Sequence, residues 1–114
     1  MMFEYWVDTD LKKLPTVRKL QNVFSQDSGA NKIGVRVTDD GEEITLSGTV
    51  KASIVKPDGT TISVDGNKDG NKAWVILPSS AYSAVGRLGV FLKLITGSDI
   101  TTLGGVEATV YKSL

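Results

Sequence analysis

Two apolar ribbons dominate the pattern of the chain, Ala73 to Leu77 and Leu88 to Ile95, within the stretch KAWVILPSSAYSAVGRLGVFLKLIT at residues 72–96. In the first, Ala73, Val75 and Leu77 share one parity and Trp74 and Ile76 the other, so both faces are apolar and something must cover the second. In the second, Leu88, Val90, Leu92 and Leu94 alternate with Arg87, Gly89, Phe91, Lys93 and Ile95, leaving Phe91 and Ile95 as apolar exceptions on the outward face. A period of two predicts two core strands. Between them, PSSAYSAVG supplies a proline-opened, glycine-closed corner.

The same period recurs elsewhere. Phe3, Tyr5 and Val7 alternate with Glu4, Trp6 and Asp8, a strand too short to stand alone, which must therefore lie on something. It is either an edge strand of the protein's own sheet or an arm for a neighbouring subunit. Residues 17–24, VRKLQNVF, fit a helical stripe through Val17, Leu20 and Phe24, yet their length and the following SQDSGAN loop favour a strand. Ile33, Val35 and Val37 predict a half-buried strand ending at the turn of Asp39, Asp40 and Gly41. Ile44, Leu46, Gly48, Val50, Ala52 and Ile54 share one parity, giving a long strand over 43–55 or two strands broken at Ser47 and Gly48, with a bulge at Gly48. Pro57 and Gly59 in KPDGT make a hairpin turn, Ile62 and Val64 a returning strand, and DGNKDGNK at 65–72 a second, more mobile turn. After TGSD, Ile100 to Leu103 begins another strand, Gly104 and Gly105 allow a bend, and Val106, Ala108 and Val110 alternate to the end.

Seven to nine short strands with turns every 8 to 12 residues predict an all-β fold, an antiparallel immunoglobulin-like β-sandwich at 17–114 preceded by an N-terminal arm at 1–16. A tyrosine just before a core strand is how a tyrosine corner is written, the ring in the core and the hydroxyl bonded to a backbone group upstream. Tyr82 is the candidate, the alternative being an ordinary half-buried loop tyrosine.

Composition narrows the chemistry. At 114 residues a single core is feasible and a second domain does not fit. Thirteen basic and thirteen acidic side chains cancel without blocks of either sign, which argues against nucleic acid or an anionic membrane surface as partner. No apolar run is long enough to span a membrane, and the acidic start MMFEYWVDTD does not resemble a signal peptide, so a soluble chain without an export address is expected. The absence of His and Cys removes Ser/His/Asp and Cys/His nucleophiles and the usual zinc sites, and leaves no disulfide. The cluster Asp39, Asp40, Glu42 and Glu43 lacks the alternating spacing of a calcium loop and reads as a solvated turn. DGNKDGN and LGG lack the strand-to-helix context that aims amides at a phosphate. No catalytic residue, cofactor or metal is therefore expected. The positive feature is aromatic: Trp6, Trp74, Phe91 and Tyr111 fall on outward parities, which fits subunit contacts, a sugar platform, or burial under the protein's own loops.

Taken in order, YWVDTD, VFSQDSGANKIGVRVT, SGTVKASIVKPDGTT, GNKAWVILPSSAYSAVGRLGVFLKLI and TTLGGVEATVYKS resemble the N-terminal domain of the phage baseplate upper protein family (BppU-like), of phages and prophages of low-GC Gram-positive bacteria. The likeness runs from Tyr5 to Ser113 and contains no catalytic signature. Its specificity lies in the order of the phrases, above all LPSSAY followed by G and the final VYKS. The resemblance implies a non-enzymatic β-sandwich module of the tail baseplate in the virion, assembled in the bacterial cytoplasm, joining the tail core to the receptor-binding apparatus. Its partners would be other phage tail or baseplate proteins, in a homo-oligomer (trimer or dimer). By position, Leu77, Pro78, Ala81, Tyr82 and Gly86 match the family's corner and Tyr111 its terminal motif. Members of that family continue into a helical or coiled-coil segment that promotes trimers, whereas this chain stops at Leu114, so a shortened form or an unusually short member is expected. Docking is expected through Tyr5, Trp6, Trp74 and Phe91; the alternative is a carbohydrate-binding module that stacks the same rings on host sugars.

Overall fold

The structure is a computed structural model and describes residues 3–19, 24–25 and 31–111, the pair 24–25 by backbone alone. It is a β-sandwich of two mixed sheets. The first contains β1 (Phe3–Asp10), β4 (Asn31–Asp39), β5 (Glu42–Glu43), β8 (Asn67–Asp69) and β9 (Lys72–Ile76). The second contains β2 (Thr16–Lys19), β3 (Phe24–Ser25), β6 (Thr49–Val55), β7 (Thr61–Asp65), β10 (Gly86–Thr96) and β11 (Asp99–Tyr111). The two ribbons read from the sequence are the central strands β9 and β10, one in each sheet, joined by a 3-10 turn at Ser79–Tyr82.

Hairpins stay within a sheet and the other described links change sheets. The β4–β5 turn holds Asp40 and Gly41 at φ 52° and 85°, the doubly positive geometry that makes Asp-Gly a two-residue hairpin loop. The β6–β7 turn is closed by Lys56 N–H on Thr60 O at 2.8 Å, with Gly59 at φ 90°. The core lies between the sheets: Ile33, Val35 and Val37 of β4 and Ala73 and Val75 of β9 face Val50, Ala52 and Ile54 of β6, Leu88, Val90 and Leu92 of β10 and Val106 and Val110 of β11, all buried. Burying a Val, Leu or Ile side chain contributes roughly 1.5–3 kcal/mol, so this alternation supplies the driving force.

Several expectations need correction. Among the described residues the sandwich has eleven strands where about seven to nine are expected, three of them only two or three residues long. Its central pairs are antiparallel, but β1–β4, β2–β11 and β3–β11 pair parallel. Residues 43–55 are not one strand: Ile44 to Gly48 carry the chain from one sheet to the other, and Gly48 sits at that crossing instead of in a bulge. The bulge falls at Leu103, where Leu92 pairs Gly104 and Lys93 pairs Thr102. β11 runs on through Gly104, at φ 151° beside that bulge, and Gly105, where a Cβ would stand 2.0 Å from the Val90 carbonyl oxygen. DGNKDGNK is not all turn, since Gly66 marks the step between sheets and 67–69 pair with β9 as β8. Of the strand expected over 17–24, Val17 to Lys19 lie in β2 and 24 in β3, while Leu20 to Val23, like the terminal residues Lys112 and Ser113, lie outside the described residues.

Candidate interaction site

The N-terminal strand lies on the edge of the first sheet, beside β4 from Phe3↔Asn31 to Asp10↔Thr38. Its far end is fastened by Asp10. The carboxylate accepts from the backbone N–H of Lys12 (2.9 Å), Asp40 (3.1 Å) and Gly41 (2.8 Å) and from the Thr38 hydroxyl (2.8 Å), which holds its pKa well below the usual carboxylate range. The sequence reads Asp39, Asp40, Glu42 and Glu43 as a solvated turn; the carboxylate that ties this hairpin down, Asp10, comes from another strand. One Asp39 oxygen accepts no hydrogen bond and faces the Lys12 ammonium at 3.7 Å, while Asp40, Glu42 and Glu43 are exposed.

The interaction residues divide between two opposite faces. Trp6 and Trp74 meet on the outside of the first sheet because both pair with Gly34, one from each side. With no side chain on Gly34, the Trp6 ring lies across the central strand, and the indoles contact edge to face at 6.3 Å and 61°. Cations line the rings: Lys32 is 5.2 Å from the Trp74 centroid, and Arg36 and Lys72 are 5.3 and 6.0 Å from that of Trp6. Carboxylates balance them, Lys32 to Glu4 at 3.9 Å and Arg36 to Asp8 at 3.1 Å, and Trp6 Nε1–H donates to Glu4 at 3.0 Å. Arg18 of β2 donates to the Trp6 carbonyl at 3.3 Å on the outer edge of β1. This is the cover that the outward parity of Trp74 demanded, although Ile76 stays exposed.

Phe91 lies on the other face, outside the second sheet, its ring folded back over Gly89 beside Val55. Tyr5 points inward with Val7 and packs half-buried on the core, so it is not part of either surface patch. Tyr111 is exposed at the end of β11.

At the corner, Leu77, Ala81 and Tyr82 are buried, Pro78 opens the 3-10 turn at φ −72°, and Gly86 takes φ 130° where a Cβ would meet Pro57 at 2.9 Å. The Tyr82 hydroxyl accepts from the Asn31 side-chain amide at 2.6 Å, and Asn31 O in turn accepts from Leu77 N–H at 3.0 Å. The first residue of β4 thus holds the corner through its side chain. Burial raises the Tyr82 pKa, with a smaller opposing effect from the Asn31 bond. Among the described residues, no three Asp or Glu side chains gather where they could hold a metal ion.

No family model matches the chain, and no curated protein does. Among solved structures, the N-terminal domain of phage TP901-1 ORF48 matches at TM-score 0.56 and 10% identity, covering 100% of both chains. At that identity the likeness is one of fold. One solved domain that shares this sandwich from end to end is thus the N-terminal domain of a phage protein, and the β-sandwich that the resemblance implies is the fold found.

Proposed function

We propose that the protein is a structural component of a phage tail baseplate, a docking module that links the tail core to the receptor-binding apparatus. The observation that carries this reading is the end-to-end likeness to the N-terminal domain of phage TP901-1 ORF48. The reading places the protein in the virion tail after assembly in the bacterial cytoplasm, among other tail or baseplate proteins and as a dimer or trimer, with no role for nucleic acid, membrane or cofactor. It works without catalysis: with neither His nor Cys in the chain, contact between protein surfaces is the chemistry this sandwich supports best.

The alternative, a carbohydrate-binding module for host adsorption, is weaker on geometry. A sugar stacks on an open ring face, whereas Lys32, Arg36 and Lys72 already lie against the rings of Trp6 and Trp74, and Phe91 lies over Gly89. Deleting the gene from the encoding phage tests the proposal. Tails should form with a complete tube but without the receptor-binding tip in electron micrographs; intact tips would refute it, and saturable binding on an array of host cell-wall glycans would favour the alternative.

A further inference from the structure

We infer that the outer face of the second sheet binds the acidic end of a second copy of this chain, in a head-to-tail contact. The inference deepens the docking reading and rests on it in taking the module to act by protein contact. The two outer faces differ in electrical balance. On the first sheet, Glu4 and Asp8 pair with Lys32 and Arg36, and the cations lie against indole rings, so little is left to attract a charged partner.

The second sheet is not balanced. A cleft of about 250 Å³ opens between the β6–β7 turn and β10, floored by Val55, Pro57, Gly89 and Phe91 and rimmed by Arg87 and Glu107. A polar hollow beside it adds Lys19. Val17, 43% exposed, stands in register with Phe91 across Gly105. Lys19, Lys56, Arg87 and Lys93 border this surface, and none has a carboxylate within ion-pair distance among the described residues. Against these four cations stands Glu107, while Asp58 is turned to the amide and hydroxyl of Thr60.

The complement lies at the other end of the molecule. The β4–β5 hairpin carries Asp39, Asp40, Glu42 and Glu43; Asp39 pairs with Lys12 at 3.7 Å, Asp40, Glu42 and Glu43 have no ion pair among the described residues, and Leu11, 40% exposed, lies beside them. Gly89 pairs Val55 at the cleft end of β10, Ile95 pairs Thr49 at the hairpin end, and six residues of strand separate the two by ~20 Å. One copy cannot bring its own acidic end onto its own basic face; a second copy can. Unlike patches in contact make a heterologous interface, which closes into a ring or extends as a chain.

Sedimentation equilibrium of the purified chain tests this. Wild type should self-associate, weakening at least about tenfold between roughly 0.05 and 0.5 M NaCl as the charges are screened. R87E/K93E and E42K/E43K should each lose association about tenfold or more, and their equimolar mixture should regain it to within about threefold of wild type, because each variant then supplies the patch the other lacks. All four positions are at least partly exposed, so the variants should fold. A wild-type monomer at ~0.5 mM, association indifferent to salt, or a mixture no better than its components would overturn the inference. If the chain is monomeric yet gene-deleted tails still lack tips, this contact falls and the docking function stands.

Discussion

The Trp6 indole lies across Gly34 and touches Trp74 edge to face, so two rings from strands that are not hydrogen-bonded to each other meet over the backbone of the strand between them. A Cβ on Gly34 would stand 2.4 Å from the Trp6 ring, and the ring must yield because the alternative is to move a central strand. Gly34→Ala should therefore shift tryptophan emission to the red and cost about 1–2 kcal/mol in urea unfolding. Unchanged emission would mean that the indoles do not pack over Gly34.

Tyr82 and Asn31 join the corner to the start of β4 across 51 residues of sequence. Tyr82→Phe keeps the ring and removes that bond, with an expected loss of about 1–2 kcal/mol, and a double-mutant cycle with Asn31→Ala should show coupling of about 1 kcal/mol. The pH dependence follows from the raised pKa: the folded state holds the phenol proton more tightly, so this stability is complete below 10.0 and is lost as pH rises through the folded-state value. Urea midpoints between about pH 9 and 11.5 should fall more steeply for wild type than for Tyr82→Phe. Parallel curves would show that the phenol does not titrate differently on folding.

Asp10 should matter at the opposite end of the scale. Its lowered pKa means that its contribution is present above 3.8, the unfolded value, and fades as pH falls toward the folded one. Asp10→Asn should flatten the acid limb of the stability curve and reduce hydrogen-exchange protection at the end of β1. Equal protection in the variant would show that the four bonds to Asp10 do not fasten this strand.

Gly105→Ala places a methyl against the Val90 carbonyl, backbone against side chain, where nothing flexible can give way. A loss of about 2 kcal/mol or more is expected in chemical unfolding. A loss below ~0.5 kcal/mol would require β10 and β11 to separate without cost.

What was legible in the sequence is what alternation encodes. Ile33/Val35/Val37, Ala73/Val75 and Leu88/Val90/Leu92 each mark a strand with one buried face, and Asp40-Gly41 and Pro57-Asp58-Gly59 mark hairpins through their φ requirements. Partner choice is not encoded that way, so the parallel pairing of β1 with β4 and β2 with β11 had no local signal. Strand β8 was hidden because Asn67, Lys68 and Asp69 are all exposed and owe their conformation to main-chain pairing with β9. The outward parity of Trp6 and Trp74 was readable, but not that Gly34 brings them together while Phe91 goes to the opposite face. Asp10 and Asn31 carry no motif; their roles depend on residues about thirty and fifty positions away, and only the folded chain places them.

The central claim is that this sandwich is a docking part of a phage tail baseplate, and cryo-electron microscopy of purified virions from the encoding phage tests it most directly. The account expects density fitting the two-sheet domain at the tail tip, in repeated copies touching both the tail core and the receptor-binding apparatus. A well-resolved baseplate in which no density accepts the domain would contradict it.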